Sequence, residues 1–167
     1  MGDSQGATGP GDELRLLFFR SNGERFALDV AYVREIIPRQ PVTPVPFVPS
    51  TVAGIINHRG TIYTLIRFAQ LAGIGKDREE AVVLLRLPEM AVGIAVEAVE
   101  GIEPVPGSLL NATTEGAQPP SVAFLRRARD PSGRLVHVID AEMLVDTIYR
   151  LPELAHAGES AWEAGHD

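Results

Sequence analysis

The sequence contains no cysteine, a single tryptophan and only 6% aromatic residues among its 167 positions. Without cysteine there can be no disulfide, zinc–thiolate site, iron–sulfur cluster or thiol nucleophile, and a reducing compartment such as the cytoplasm fits best. Long apolar runs are missing too. The longest unbroken one is Ala81 to Leu85, far short of the ~20 residues a membrane-spanning helix needs. Nor is there a surplus of cations: 15 Lys and Arg stand against 22 Asp and Glu, a formal charge of −7. That balance argues against nucleic acid as a partner, because phosphate contacts need clustered cations. The densest basic cluster, Arg126, Arg127 and Arg129, lies in strand-like sequence and alternates between faces, as expected of a blunted strand edge. Residues 1–13 are polar and Gly-rich with no basic residue, unlike a signal peptide. The Met-Gly start lacks the Ser or Thr at position 6 that myristoylation favours. This stretch reads as a disordered leader.

What is present is a run of short strands. Leu14 to Arg20 and Arg25 to Val30 flank Asn22-Gly23, the strongest short hairpin signal. Val33, Ile36 and Ile37 then follow a helix-like spacing up to Pro38. Five prolines fall between 38 and 49, so that stretch is expected to be an extended connection. Ile55 to Asn57 and Thr61 to Ile66 surround a tight point at His58-Arg59-Gly60, a second hairpin. Arg67 to Ala72 reads as a short helix closed by Gly73. After a polar linker come strands at Ala81 to Leu87 and Ala91 to Val96, the latter running on through Val99, Ile102 and Pro104. A long loop from Pro106 to Pro120 follows. Ser121 to Arg129 and Arg134 to Ile139 form a hairpin around Asp130-Pro131-Ser132-Gly133. Asp140 is placed to cap a last helix through Ile148, with Met143 and Leu144 on its inner face. Residues 151–167 lose the pattern and read as a polar tail.

These elements repeat. At an offset of 66, Leu16 meets Val82, Phe18 meets Leu84, Arg20 meets Arg86, Phe26 meets Val92, Leu28 meets Ile94, Val30 meets Val96, Ile36 meets Ile102 and Pro38 meets Pro104. Further on the offset becomes 73, pairing Gly60 to Ile66 with Gly133 to Ile139 and Leu71 with Leu144. The added residues fall where the second half has its long loop. Five short strands per half suit a small barrel, and two such halves, each marginal alone, imply two barrels packed together. The expected units are about 14–73 and 81–150, interleaved at their ends.

Catalytic patterns fail one by one. Gly73 to Lys76 resembles a phosphate loop, but Gln70 and Asp77 stand where it needs Gly and Ser or Thr. Neither His58 nor His137 has a metal-pair partner at the right spacing. A set of Ser132, His137 and Asp140 lacks a nucleophile elbow, and Asp140 is already explained as a cap. Paired carboxylates at Glu79-Glu80 and at Glu97 and Glu100 read as solvated faces. A polar cluster in an apolar setting remains, Gly54-Ile55-Ile56-Asn57-His58-Arg59-Gly60. It can be a tight hairpin in which Asn57 bonds its own backbone and Gly60 supplies positive φ. It can equally present Arg59 for bidentate contact with a partner carboxylate.

Over about Leu14 to Arg150 the chain resembles the chemotaxis coupling proteins of the CheW family. The residues that carry the likeness are Val33-Arg34-Glu35-Ile36; Pro49 to Ile62, with its Gly54-x-x-Asn57-x-Arg59-Gly60 core; Val92-Gly93-Ile94-Ala95-Val96-Glu97-Ala98-Val99; and Leu135 to Asp140 leading into Met143-Leu144. The resemblance implies a mainly β fold of two five-stranded SH3-like barrels around a shared apolar interface, with short helices. It implies no catalysis and no cofactor. The implied role is an adaptor in the cytoplasm, recruited to chemoreceptor arrays, that ties the cytoplasmic tip of chemoreceptors to the regulatory domain of a CheA-type histidine kinase without inserting into the membrane. By position, Val33, Glu35, Gly54 and Arg59 match family positions implicated in partner contacts, and Asn57 and Gly60 belong to the same motif. Three positions depart from the family pattern: Thr64 replaces a usual proline, Arg67 a usual aspartate, and His58 a usual aliphatic residue. The repeat shows the second change unaided, since Arg67 stands opposite Asp140, a cation where the dipole favours an anion. These departures fit a divergent coupling protein. Competing readings are a scaffold of this fold that binds only one of the two partners, and a small-ligand binder or hydrolase on a barrel.

Overall fold

The computed structural model describes residues 13–108 and 124–151. The expected leader, except Glu13, which opens the first strand, most of the long loop after Pro106 and the tail beyond Leu151 lie outside the described residues. The strands are β1 (Glu13–Ser21), β2 (Glu24–Asp29), β3 (Val33–Pro38), β4 (Val52–His58), β5 (Thr61–Arg67), β6 (Ala81–Leu85), β7 (Val92–Val96), β8 (Ala98–Pro106), β9 (Leu125–Arg129) and β10 (Leu135–Ile139). Two helices, α1 (Phe68–Leu71) and α2 (Ala141–Tyr149), follow β5 and β10.

The strands form two five-stranded sheets, ordered β8-β1-β2-β10-β9 and β3-β6-β7-β5-β4. The repeat makes β1, β2 and β3 equivalent to β6, β7 and β8, and β4 and β5 equivalent to β9 and β10. The second order is therefore the first with every strand replaced by its counterpart. Each sheet joins the leading hairpin of one half to the last three strands of the other. The interleaving expected at the ends of units 14–73 and 81–150 thus runs through both sheets. Four pairings join the halves: the antiparallel β1 with β8 and β3 with β6, and two parallel ones, β2 with β10, where Phe26 faces His137 and Ala27 faces Val138, and β5 with β7, from Thr64 facing Val92 to Arg67 facing Ala95.

Strand alternation sorts the core. On β1, Leu17 and Phe19 enter a shared cluster with Phe26, Leu28, Val83, Leu85, Ile94 and Val96, while Leu16 and Phe18 enter a cluster private to the first sheet. On β6, Val82 and Leu84 do the same for the second sheet, with Ile56, Tyr63 and Leu65. Strands buried on both faces read as continuous apolar runs for this reason. Phe68, at the start of α1, meets Phe19 at 5.0 Å and Phe26 at 4.8 Å edge to face. It thereby ties the helix after the second sheet to the hairpin of the first.

Local chemistry explains most elements. Asn22 and Gly23 take φ of 50° and 80°, the primed turn that suits strand twist. Asp140 accepts a hydrogen bond from the Met143 amide at 3.1 Å and caps α2, whereas Arg67 heads α1 with no side-chain cap. Arg67 instead reaches Glu79 at 2.7 Å. Burial raises the Glu79 carboxyl above its ordinary range, and Arg67 opposes that shift. β9 lies at a sheet edge, in keeping with its arginines.

Two expectations need correcting. Val33 to Ile37 form a strand, preceded by one turn of 3-10 helix at Val30–Tyr32. A register shift between Val33 and Glu35 against β6 breaks the alternation and mimics a helical spacing. On α2, Leu144 and Ile148 are buried but Met143 is 43% exposed, because the inward stripe follows i, i+4 rather than adjacent residues.

Side chains also link strands that are not ladder neighbours. In the first sheet, Arg25 on β2 donates to Glu100 on β8 at 3.0 Å and to Asp130, just past β9, at 2.6 Å. Burial alone would raise the Asp130 carboxyl, but hydrogen bonds from Ser132, the Arg134 amide and Arg25 hold it down to about 2. A depressed carboxylate stabilises the fold above its unfolded pKa and loses that contribution as pH falls through its folded one. Urea midpoints measured from pH 5 to pH 2 should fall by the equivalent of roughly 2 kcal/mol more in the native chain than in Asp130→Asn. The exchange of strands also predicts that residues 13–73 and 81–151, made separately, show no cooperative thermal transition by circular dichroism, and that mixing them restores one.

Candidate functional site

The motif around Asn57 builds the turn between β4 and β5. Only Arg59 and Gly60 lie between the paired residues His58 and Thr61, and both take left-handed φ, 53° and 86°. That is a two-residue primed hairpin. Asn57 Oδ1 accepts the Gly60 amide at 3.0 Å and locks it. An L-residue in this conformation costs roughly 1–2 kcal/mol, so the turn holds Arg59 in a strained backbone with its side chain 76% exposed.

Glu35 arrives from β3. Its Oε1 lies 3.1 Å from His58 Nε2, and its carboxylate meets the Arg59 guanidinium at 3.3 and 3.4 Å. β3 and β4 are the outermost strands of their sheet, so this contact draws its two edges together. The His58 contact is partly buried, whereas the Arg59 contact is long and solvated. An exposed ion pair of that kind contributes about 0–1 kcal/mol. Arg59 can therefore exchange Glu35 for a partner's carboxylate at little cost, while His58 keeps Glu35 in place.

Gly54 serves a different purpose. Its φ is +143°, and a Cβ there would collide with the Thr43 carbonyl and come within 2.8 Å of Val42 Cγ1. Thr43 and Ile55 exchange two backbone hydrogen bonds of 2.9 Å. The missing side chain is what lets the proline-rich connection lie across β4. Val33, 8% exposed, sits within the shared core, where it can affect a surface only through packing. The six expected positions thus divide into two that reach outward, Glu35 and Arg59, three that shape backbone, Gly54, Asn57 and Gly60, and one that is buried.

His58 is the member that sequence reading missed. Its carboxylate partner lies 23 residues away on a strand that is not its ladder neighbour, so no local spacing could show it. The other polar candidates are engaged elsewhere. Ser132 Oγ donates to Asp130 at 2.7 Å, His137 pairs with Glu24 at 2.6 Å, and Asp140 caps α2. Among the described residues no three His, Asp or Glu side chains converge as metal ligands.

Residues 15–148 match the family model of the CheW-like domain. The chain is 26% identical over 141 residues to the chemotaxis protein CheW of Thermotoga maritima, covering 81% of this chain and 90% of that one. It is 26% identical over 130 residues to the chemotaxis protein CheW of Rhizobium meliloti, covering 76% and 84%. The fold is similar to the crystal structure of the scaffolding protein TtCheW from Thermoanaerobacter tengcongensis, with a TM-score of 0.66 at 23% identity over 77% of this chain and 89% of that one.

The two motif glycines should respond differently to a methyl group. Gly54→Ala meets both a collision and a forbidden φ and should lower unfolding free energy by about 3 kcal/mol. Gly60→Ala has open space around it and should lose only about 1 kcal/mol. Chemical denaturation of the two variants checks the order.

Proposed function

The chain belongs to the CheW-like family, and from that membership and its site we propose that it is a non-catalytic adaptor coupling methyl-accepting chemoreceptors to a CheA-type histidine kinase in a chemosensory array. The observation that carries the proposal is the Arg59 turn: an exposed guanidinium on a strained, locked hairpin, loosely paired to a carboxylate that His58 holds. Such a group is suited to bidentate capture of a partner carboxylate, and arginines of this kind are frequent hot spots of interfaces. Glu35 beside it offers the complementary charge to a partner cation. Asn57, Gly60 and Gly54 act by fixing the backbone that carries these two, and Val33 by fixing the start of β3.

Coupling requires two surfaces and no chemistry. In this reading the β4–β5 turn serves one partner, and a separate surface serves the other, so that the receptor's cytoplasmic tip and the kinase regulatory domain are held at once. The adaptor works in the cytoplasm, recruited to arrays through these contacts. No helix among the described residues is long and apolar enough to cross a membrane, in keeping with recruitment by protein partners.

Arg59→Glu should weaken pull-down of the cognate kinase or receptor cytoplasmic fragment by at least ~tenfold while leaving the thermal transition nearly unchanged. Undiminished recovery of both partners would remove Arg59 from the site. Crosslinking of the native chain with both partners should recover a complex containing all three; recovery of only one partner would replace the coupler by a one-partner scaffold.

A further inference from the structure

The β1–β2 turn holds a reactive pair that the coupling role leaves unused. Of the three asparagines only Asn22 precedes a glycine, and both residues of the pair are exposed. In such a pair the glycine nitrogen, once it has given up its proton, attacks the asparagine Cγ, because no glycine side chain obstructs the approach. A carbon–nitrogen bond closes a succinimide ring, ammonia leaves, and water opens the ring to aspartate or isoaspartate.

Contacts from distant segments occupy both reacting groups. The Gly23 amide donates to Glu97 Oε1 at 3.0 Å, from the junction of β7 and β8. Its nitrogen is thus turned to another segment's carboxylate, and losing the proton there would set a second negative charge beside the first. The Asn22 side-chain amide donates to the Ile74 carbonyl, which anchors it on the linker between α1 and β6. Asp77 Oδ2, on the same linker, accepts the Asn22 backbone amide at 3.2 Å. Gly75 lies so near that a Cβ there would sit 3.4 Å from Asn22 Nδ2. The attacking nitrogen and the attacked carbon are therefore tied to different parts of the chain.

The product of the reaction does not fit these contacts. An aspartate at position 22 sets a carboxylate against the Ile74 carbonyl, two acceptors with no donor between them, and adds a like charge beside Asp77. Isoaspartate also lengthens the backbone of a turn that is only two residues long between the paired Ser21 and Glu24, and turn length fixes hairpin register.

We propose that Asn22 is a deamidation site held unreactive by its contacts with Glu97 and the Ile74–Asp77 linker, so that the turn is a one-way latch: once it has opened and Asn22 has reacted, it does not close again. The latch is separate from the Arg59 turn and does not depend on the coupling role.

Peptide mapping by mass spectrometry of the full chain, aged at mildly alkaline pH, reads conversion at Asn22. It should run at least ~tenfold slower in the native chain than in the same chain held unfolded in guanidinium chloride, because the latch must first open. Glu97→Ala and Asp77→Ala should each keep a cooperative thermal transition and speed conversion in the folded chain at least ~threefold. Asn22→Asp, which is the product itself, should raise amide hydrogen exchange across residues 72–80 by ~tenfold. Equal rates in folded and unfolded chains, or an Asn22 that stays intact in both, overturn the proposal. So does conversion that neither variant speeds, and unchanged exchange in Asn22→Asp overturns the one-way latch.

Discussion

The parallel pairings of β2 with β10 and of β5 with β7 are the constraint on which the rest of the molecule depends. Each joins a strand of one half to a strand of the other, so each sheet is completed by its neighbour's sequence. Parallel pairs are slightly weaker per residue than antiparallel ones, yet these two sit between central strands buried on both faces. The shared cluster of Leu17, Phe19, Phe26, Val83, Leu85 and Ile94 draws its side chains from both halves. Phe68 adds a tie between the sheets, because it follows β5 of one sheet and packs on the β1–β2 hairpin of the other. A small domain without disulfides gains cooperativity this way, since each sheet needs strands from both halves.

The same symmetry places two related polar links at equivalent turns and lets them diverge. Asn57 and Asp130 occupy matching positions, and each accepts amide hydrogen bonds within its own turn. Around Asp130 the link is inward: Arg25 is nearly buried, bridges Glu100 and Asp130, and lies 5.0 Å over the Phe18 ring. Around Asn57 it is outward, with Arg59 exposed and its contacts to Glu35 long. A buried charge whose partner is removed is costly, whereas a solvated pair can be broken cheaply. One turn is thereby committed to holding its sheet together, and its counterpart is free to exchange partners.

The hairpins, the Asp140 cap and the Gly73 helix end were legible in the sequence, because each depends on residues within a few positions of one another, and the repeat was legible because its two copies keep one register. The exchange of strands was not, since a repeat says which residues are equivalent and is silent on which copy they pair with. The β3 strand was misread for a related reason: one inserted residue at the Val33–Glu35 shift moves Ile36 and Ile37 out of alternation, and a short window cannot tell that from a helical stripe. At the site, the turn residues Asn57 and Gly60 were readable, but the Glu35–His58 contact joins side chains of the two outermost strands of a sheet, which no local spacing can show. Gly54 was recognisable as part of a motif. Its purpose, to seat Thr43 across β4, required the path of the connection.

The structure also shows what is done by the three residues that the resemblance marks as unusual. Thr64 keeps an amide that a proline would lack, and that amide donates to the Ala91 carbonyl at 2.9 Å beside the parallel joint to β7. Arg67 cannot cap α1 as Asp140 caps α2, but its side chain binds Glu79 and its amide donates to Thr51 at 2.7 Å. The cation thus fastens the linker before β6 instead of the first turn of a four-residue helix. His58 makes a hydrogen bond to Glu35, which holds the carboxylate that Arg59 only touches. Each change finds its partner on a neighbouring element and leaves the exposed guanidinium in place. The contacts of these three residues support the turn and its surroundings, and the group the turn presents is the exposed Arg59 guanidinium.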